Sequence, residues 1–162
     1  MENDEARKKL FDLIKDIRVC MLTTMTEDGR HVSRPMGVQH VEGDNDLWFF
    51  TYANSAKARQ IASHPMVNLG FSNDSKNDWV SISGTAELVR DRSKMEELWN
   101  PFLKAWFPDD LETPEIALLR VRADTAEYWD SPNGGAIALF GSIKAAVTGK
   151  PPKTGDNETV QL

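Results

Sequence analysis

At 162 residues, 40% hydrophobic and 27% charged, the chain is long enough for one core and too apolar to be disordered throughout. Its 19 Lys and Arg against 25 Asp and Glu leave a net charge of −6, which argues against a nucleic-acid binder but leaves room for a small anion held by a few gathered cations. The single cysteine, Cys20, has no internal disulfide partner. The acidic start MENDEARKK is unlike a secretory signal, and no apolar run approaches the roughly 20 residues that cross a bilayer, so a cytoplasmic protein without a membrane partner is expected.

Leu10, Leu13, Ile14 and Ile17 recur at helical spacing and predict an amphipathic helix over residues 4–16. VCMLTTM, the turn Glu27-Asp28-Gly29-Arg30 and HVSRPMGVQHV read as a β-hairpin, and LWFFTY after the turn at 43–46 reads as a third strand. SAKARQIASH is a short helix stopped by Pro65. MVNLGF and WVSISGTAELV, separated by a polar loop over 72–78, form a second hairpin. Residues 93–99 follow as helix, 101–114 are irregular and aromatic-rich, and IALLRVRADTAEYW gives one long or two short strands. Mostly consecutive strands with helices inserted favour a mainly β, antiparallel barrel over a doubly wound sheet. A last helix is expected over 136–146. Residues 1–147 then form the domain, and 148–162, with Lys-Pro-Pro-Lys and no apolar period, form a polar tail, loose or draped over a partner.

Metal chemistry has little support, because His31, His40 and His64 lie on separate elements without a His or Cys at ligand spacing. Cys20 sits in an apolar strand pattern and reads as core. Neither a Walker loop nor a dinucleotide fingerprint is present. The anion signal is instead at Thr51, Asn54, Ser55 and Lys57, where a strand passes into a helix whose first N–H groups are free. On the motif alone, an ordinary N-cap beside an exposed lysine is the plainer reading of the same residues. Arg34 adds to the anion reading. It precedes Pro35 in a strand, and proline is confined to edges or bulges, so the strand lacks a neighbour there and offers backbone groups to the rim of a flat heterocycle. A solvent-facing arginine on an edge strand is the plainer alternative. Trp79, Trp99, Trp106 and Trp129 are four of the five tryptophans, and composition does not decide between ligand cover, interface and core.

Taken as an ordered set, S-R-P-M at 33–36, L-W-F-F-T at 47–51, S-A-K-A-R-Q-I at 55–61, H-P-M-V-N-L-G-F at 64–71, S-G-T-A-E at 83–87 and A-E-Y-W-D at 126–130 resemble the FMN-binding split barrels of the pyridoxamine 5′-phosphate oxidase superfamily, and among them the general stress protein branch. The resemblance implies a six-stranded split barrel and a homodimer with FMN at the interface. It implies that Arg34 binds the FMN phosphate or ribityl chain and that the backbone of Pro35 and Met36 faces the ring. Phe50 and Thr51 would line the ring or tail, and Ser55 and Lys57 would hold the phosphate. Trp79 would take the place of a polar flavin contact, and Trp129 would approach FMN from the other subunit.

Two departures bear on activity. The oxidases follow the tryptophan matching Trp129 with an Arg-x-His substrate clamp, whereas this chain reads Asp130-Ser131-Pro132-Asn133-Gly134-Gly135-Ala136. Ala56 stands where they carry a further basic residue. The resemblance therefore implies an FMN-binding general stress protein with a flavin-dependent redox role of unknown substrate, and not a pyridoxamine 5′-phosphate oxidase. A non-catalytic flavin carrier or sensor and an NAD(P)H-dependent flavin reductase are the alternatives.

Overall fold

The computed structural model describes residues 2–39, 46–130 and 157–162. Its elements are α1 (Glu2–Ile14), β1 (Val19–Met25), β2 (His31–Gly37), β3 (Asp46–Tyr52), α2 (Ala56–Ser63), β4 (Met66–Asn73), β5 (Asp78–Val89), α3 (Arg92–Leu98), β6 (Ile116–Trp129) and β7 (Asn157–Gln161). Two 3₁₀ turns, Pro101–Ala105 and Asp110–Glu112, lie between α3 and β6. The strands form one antiparallel sheet in the order β2-β1-β4-β5-β6-β3. Among the described residues one isolated bridge, in which Gln39 N–H donates to the Trp48 carbonyl, brings the β2 end against β3 and closes the sheet toward a barrel. The mainly β antiparallel class expected from the sequence is the one observed.

Local chemistry accounts for the joints. Gly29 has φ +84°, a left-handed conformation that glycine adopts without strain, and it closes the β1–β2 turn. Ser55 caps α2 by accepting from Ala58 N–H, and Asp91 caps α3 by accepting from Lys94 N–H. The β5–β6 register shifts at Ser83/Gly84, and a Cβ on Gly84 would stand 2.2 Å from the Arg122 carbonyl oxygen. Only glycine lets the two backbones approach so closely at this bulge.

The alternation of β3 divides its side chains between two cores. Leu47 and Phe49 point into the barrel with Leu22, Leu69, Ile82, Leu119 and Val121. Trp48 and Phe50 point outward and are buried under α3 and the 3₁₀ turns by Met95, Leu98, Leu103 and Phe107. Because both faces are covered, β3 is a continuous apolar run. The segment expected to be irregular between 101 and 114 thus serves as a lid on the outside of the barrel.

The strand number differs from expectation: seven strands, not six, stand among the described residues. Asn157–Gln161, placed by its composition in a loose tail, pairs as β7 with Thr125–Trp129 of β6. Its one apolar residue, Val160, is buried in the main core, and Glu158 accepts from the Tyr128 hydroxyl at 3.0 Å. Five residues with one buried side chain give too short a pattern to recognise. Residues 116–129 form one long strand. The helix expected over 136–146 falls outside the described residues.

Candidate functional site

The barrel is split where β2 and β3 diverge. Extending the register of the Gln39–Trp48 bridge would set Gly37 opposite Phe50, Met36 opposite Thr51 and Pro35 opposite Tyr52, but among the described residues no ladder joins them. All six residues line a cavity of about 400 Å³, within the range of small-molecule sites. Hydrogen-bonding direction alternates along an antiparallel strand. Val38 N–H bonds toward β1 at Arg18, and Gln39 N–H bonds toward β3. The backbone groups of Gly37 and Pro35 therefore face the split, as do those of Phe50. Pro35 costs no ladder bond here, because its nitrogen points into the gap rather than at β1.

Part of the cavity lining is cationic. Arg34 reaches inward from β2 and donates to Thr24 Oγ1 at 2.7 Å, to Gln60 Oε1 at 3.1 Å and to the Leu22 carbonyl at 3.3 Å. Thr24 in turn donates to Gln60 Oε1 at 2.6 Å, so the guanidinium is gripped by a small polar cluster. Lys57, in the first turn of α2, donates to Thr51 Oγ1 at 3.1 Å. Neither cation has an acidic partner among the described residues. Burial lowers the pKa of Lys57, and the charge of Arg34 lowers it further; burial also lowers that of Arg34. Two half-buried like charges held side by side are unfavourable alone and suit an anion between them.

The rest of the lining is apolar and aromatic, made of Phe50, Tyr52, Leu103, Trp106 and Phe107 with Val19 and Met36. Phe107 packs on Tyr52 at 4.9 Å and on Phe50 at 6.0 Å between ring centres, and Trp99 meets Phe50 edge-on at 5.6 Å. A polar cationic part, free strand backbone and an apolar aromatic remainder fit a flat ring system carrying an anionic tail. The residues present thus have the chemistry to hold a flavin mononucleotide.

Of the residues singled out in the sequence, Arg34, Pro35, Met36, Phe50, Thr51 and Lys57 come together around this cavity. Ser55 stands next to it but does not line it, and its hydroxyl is engaged as the α2 cap. Trp79 and Trp129 are not in the lining either. They are cross-strand partners on the outer face of β5 and β6, 43% and 39% exposed. His31 is exposed at the start of β2 and His64 ends α2, while His40 is outside the described residues. Cys20 is buried, and burial pushes its thiol up to about 12, so it stays protonated. Among the described residues no three His, Cys, Asp or Glu side chains gather as metal ligands, and no helix is long and apolar enough to cross a membrane. Sequence reasoning missed Thr24 and Gln60, which orient Arg34, and the aromatic wall from Tyr52 to Phe107. The wall carried one signal, the cluster of aromatics in an aperiodic stretch.

Comparison with known proteins agrees with this geometry. Residues 5–153 match the family model described as pyridoxamine 5′-phosphate oxidase like. Protein bli-3 of Neurospora crassa is 32% identical over 158 residues, covering 91% of this chain and 76% of that protein. The crystal structure of the general stress FMN/FAD binding protein from Xanthomonas citri is 32% identical, covers 78% of this chain and 89% of its own, and superposes with a TM-score of 0.68. General Stress Protein 26 from Bacillus anthracis str. Sterne is 25% identical over 76% of this chain and 93% of its own, also at 0.68.

Proposed function

The chain belongs to the pyridoxamine 5′-phosphate oxidase like family, and from that premise we propose that it is an FMN-binding protein of the general stress type with a flavin-dependent redox role. The observation that carries the reading is the pair Arg34 and Lys57, two half-buried cations without an acidic partner among the described residues, in the lining of a cavity that is otherwise largely aromatic and apolar. Arg34 and Lys57 hold the FMN phosphate, with the start of α2 at Ser55 beside them. The backbone of Pro35, Met36 and Gly37 runs along the ring on one side, and Phe50 and Thr51 lie on the other. Bound FMN supplies one- and two-electron transfer, and the chain's residues supply binding, orientation and electrostatics.

We assign the working form as a homodimer. Val19, Met21, Met66, Trp79 and Trp129 are large apolar residues exposed on the outer faces of β1, β4, β5 and β6, an arrangement that favours burial against a second copy. On this reading Trp79 and Trp129 meet the cofactor or its neighbourhood across the interface. Pyridoxamine 5′-phosphate oxidation is not proposed, because 130–136 carry no Arg-x-His clamp and an unheld substrate forfeits orientation worth several powers of ten in rate.

Purified protein should show flavin absorption bands and release a compound with the mass of FMN on denaturation. A colourless protein that takes up no FMN contradicts the reading, and a haem or deazaflavin spectrum replaces it. Reduction of the bound flavin by NADH or NADPH, well above the rate for free FMN, marks a reductase. Its absence favours the carrier or sensor.

A further inference from the structure

Trp106 lines the cavity with an exposure that its fixed backbone does not explain. Its backbone is pinned: its N–H donates to the Leu103 carbonyl at 3.0 Å, and its own carbonyl accepts from the Tyr52 hydroxyl. Its neighbour Phe107 is buried against Tyr52 and Phe50. Yet the Trp106 indole is 67% exposed, lines the cavity, and makes no ring contact with a described residue. A large aromatic held at a fixed place on the cavity rim without cover is built to meet something flat. Phe102, one turn earlier, is 77% exposed but does not line the cavity, so exposure alone does not mark the site.

We infer that Trp106 is a ligand-binding residue whose indole covers the planar ring of the bound flavin, an assignment that rests on the flavin reading of the cavity. It makes the lid between α3 and β6 part of the ring subsite, while Arg34 and Lys57 form the phosphate subsite. The two subsites then have opposite signatures: loss of a ring contact weakens FMN and riboflavin by the same factor, whereas loss of a phosphate contact weakens FMN alone. Because the indole is mostly exposed, its removal leaves the fold nearly unchanged.

The test is titration of Trp106→Ala, Trp106→Phe and Phe102→Ala with FMN and with riboflavin, together with the emission of the bound flavin and the mass of the particle in solution. Trp106→Ala is expected to weaken both ligands about tenfold, a factor equal to about 1.4 kcal/mol. Trp106→Phe keeps a flat cover and should hold both ligands within about threefold while raising bound-flavin emission, because indole is a strong electron-donating quencher and phenyl is not. Phe102→Ala should leave both affinities and the emission unchanged. The inference is overturned if wild type binds both ligands and Trp106→Ala changes neither affinity, or weakens FMN alone. It is also overturned if Trp106→Ala turns a dimer into a monomer while riboflavin affinity stays the same, which would assign the indole to a subunit contact. Wild type that binds neither ligand refutes the flavin reading itself, an outcome distinct from the others.

Discussion

Replacing Arg34 by alanine isolates its proposed phosphate contact with little damage to the fold. The three groups it leaves behind are Thr24, Gln60 and the Leu22 carbonyl. Thr24 and Gln60 remain bonded to each other at 2.6 Å, so neither becomes an orphaned polar group. Removing one of two adjacent cations also relieves the repulsion that lowers the pKa of Lys57. The loss therefore falls on the anion. A charge-assisted hydrogen bond to phosphate contributes roughly 1.5 to 3 kcal/mol, or about 10- to 150-fold in affinity. Because Arg34 is half-buried and partly screened, the lower part of that range is expected, near tenfold. Lys57→Ala should act in the same direction, with an added cost because buried Thr51 loses its donor. Isothermal titration with FMN and riboflavin separates the terms, since riboflavin has the ring but no phosphate. The expected result is weakened FMN and unchanged riboflavin. Equal losses for the two ligands, or none for either, refute the placement of the phosphate at Arg34 and Lys57.

Three further outcomes follow from neighbouring geometry. Gln60→Glu sets a carboxylate 3.1 Å from the Arg34 guanidinium, which neutralises it in place, so FMN should weaken about tenfold and riboflavin stay constant; titration showing unchanged FMN would mean that Gln60 does not orient Arg34. Lys57 titrates below the ordinary lysine value of 10.5, chiefly from burial, and a bound phosphate favours its charged form. The ratio of FMN to riboflavin affinity should thus be highest below that lowered pKa and fall as pH rises through it, with ring titration cancelling in the ratio; a ratio that stays flat as pH is raised to the ordinary lysine value would remove Lys57 from the phosphate site. Gly84→Ala drives a Cβ against the Arg122 carbonyl and should destabilise by about 2 to 4 kcal/mol, lowering Tm by roughly 5 to 15 °C, whereas an unchanged melting curve would contradict the bulge.

The barrel was legible because its signals are local. The Asp28-Gly29 turn, the alternation of VCMLTTM and the β-rich runs from Met66 to Val89 each point to strands without help from distant residues. Ser55 and Pro65 likewise bound α2. The polar half of the site was legible for a similar reason: an arginine before a proline in a strand and a lysine at a helix start are rare enough to notice. The apolar half was not. Tyr52, Leu103, Trp106 and Phe107 look like core, and only the folding of the lid over the outer face of β3 buries Leu103 and Phe107 there and brings all four to the cavity lining. Thr24 and Gln60 are ordinary residues whose role appears only when β1 and α2 bring them to one guanidinium. β7 is a long-range pairing of five residues onto β6.

The placement of the flavin at the split between β2 and β3 is tested most directly by a crystal structure of the protein with FMN. Phosphate oxygens are expected within about 2.7 to 3.2 Å of the Arg34 guanidinium and Lys57 Nζ, with the ring alongside Pro35 to Gly37. FMN bound elsewhere, with Arg34 and Lys57 turned to solvent, would contradict the account.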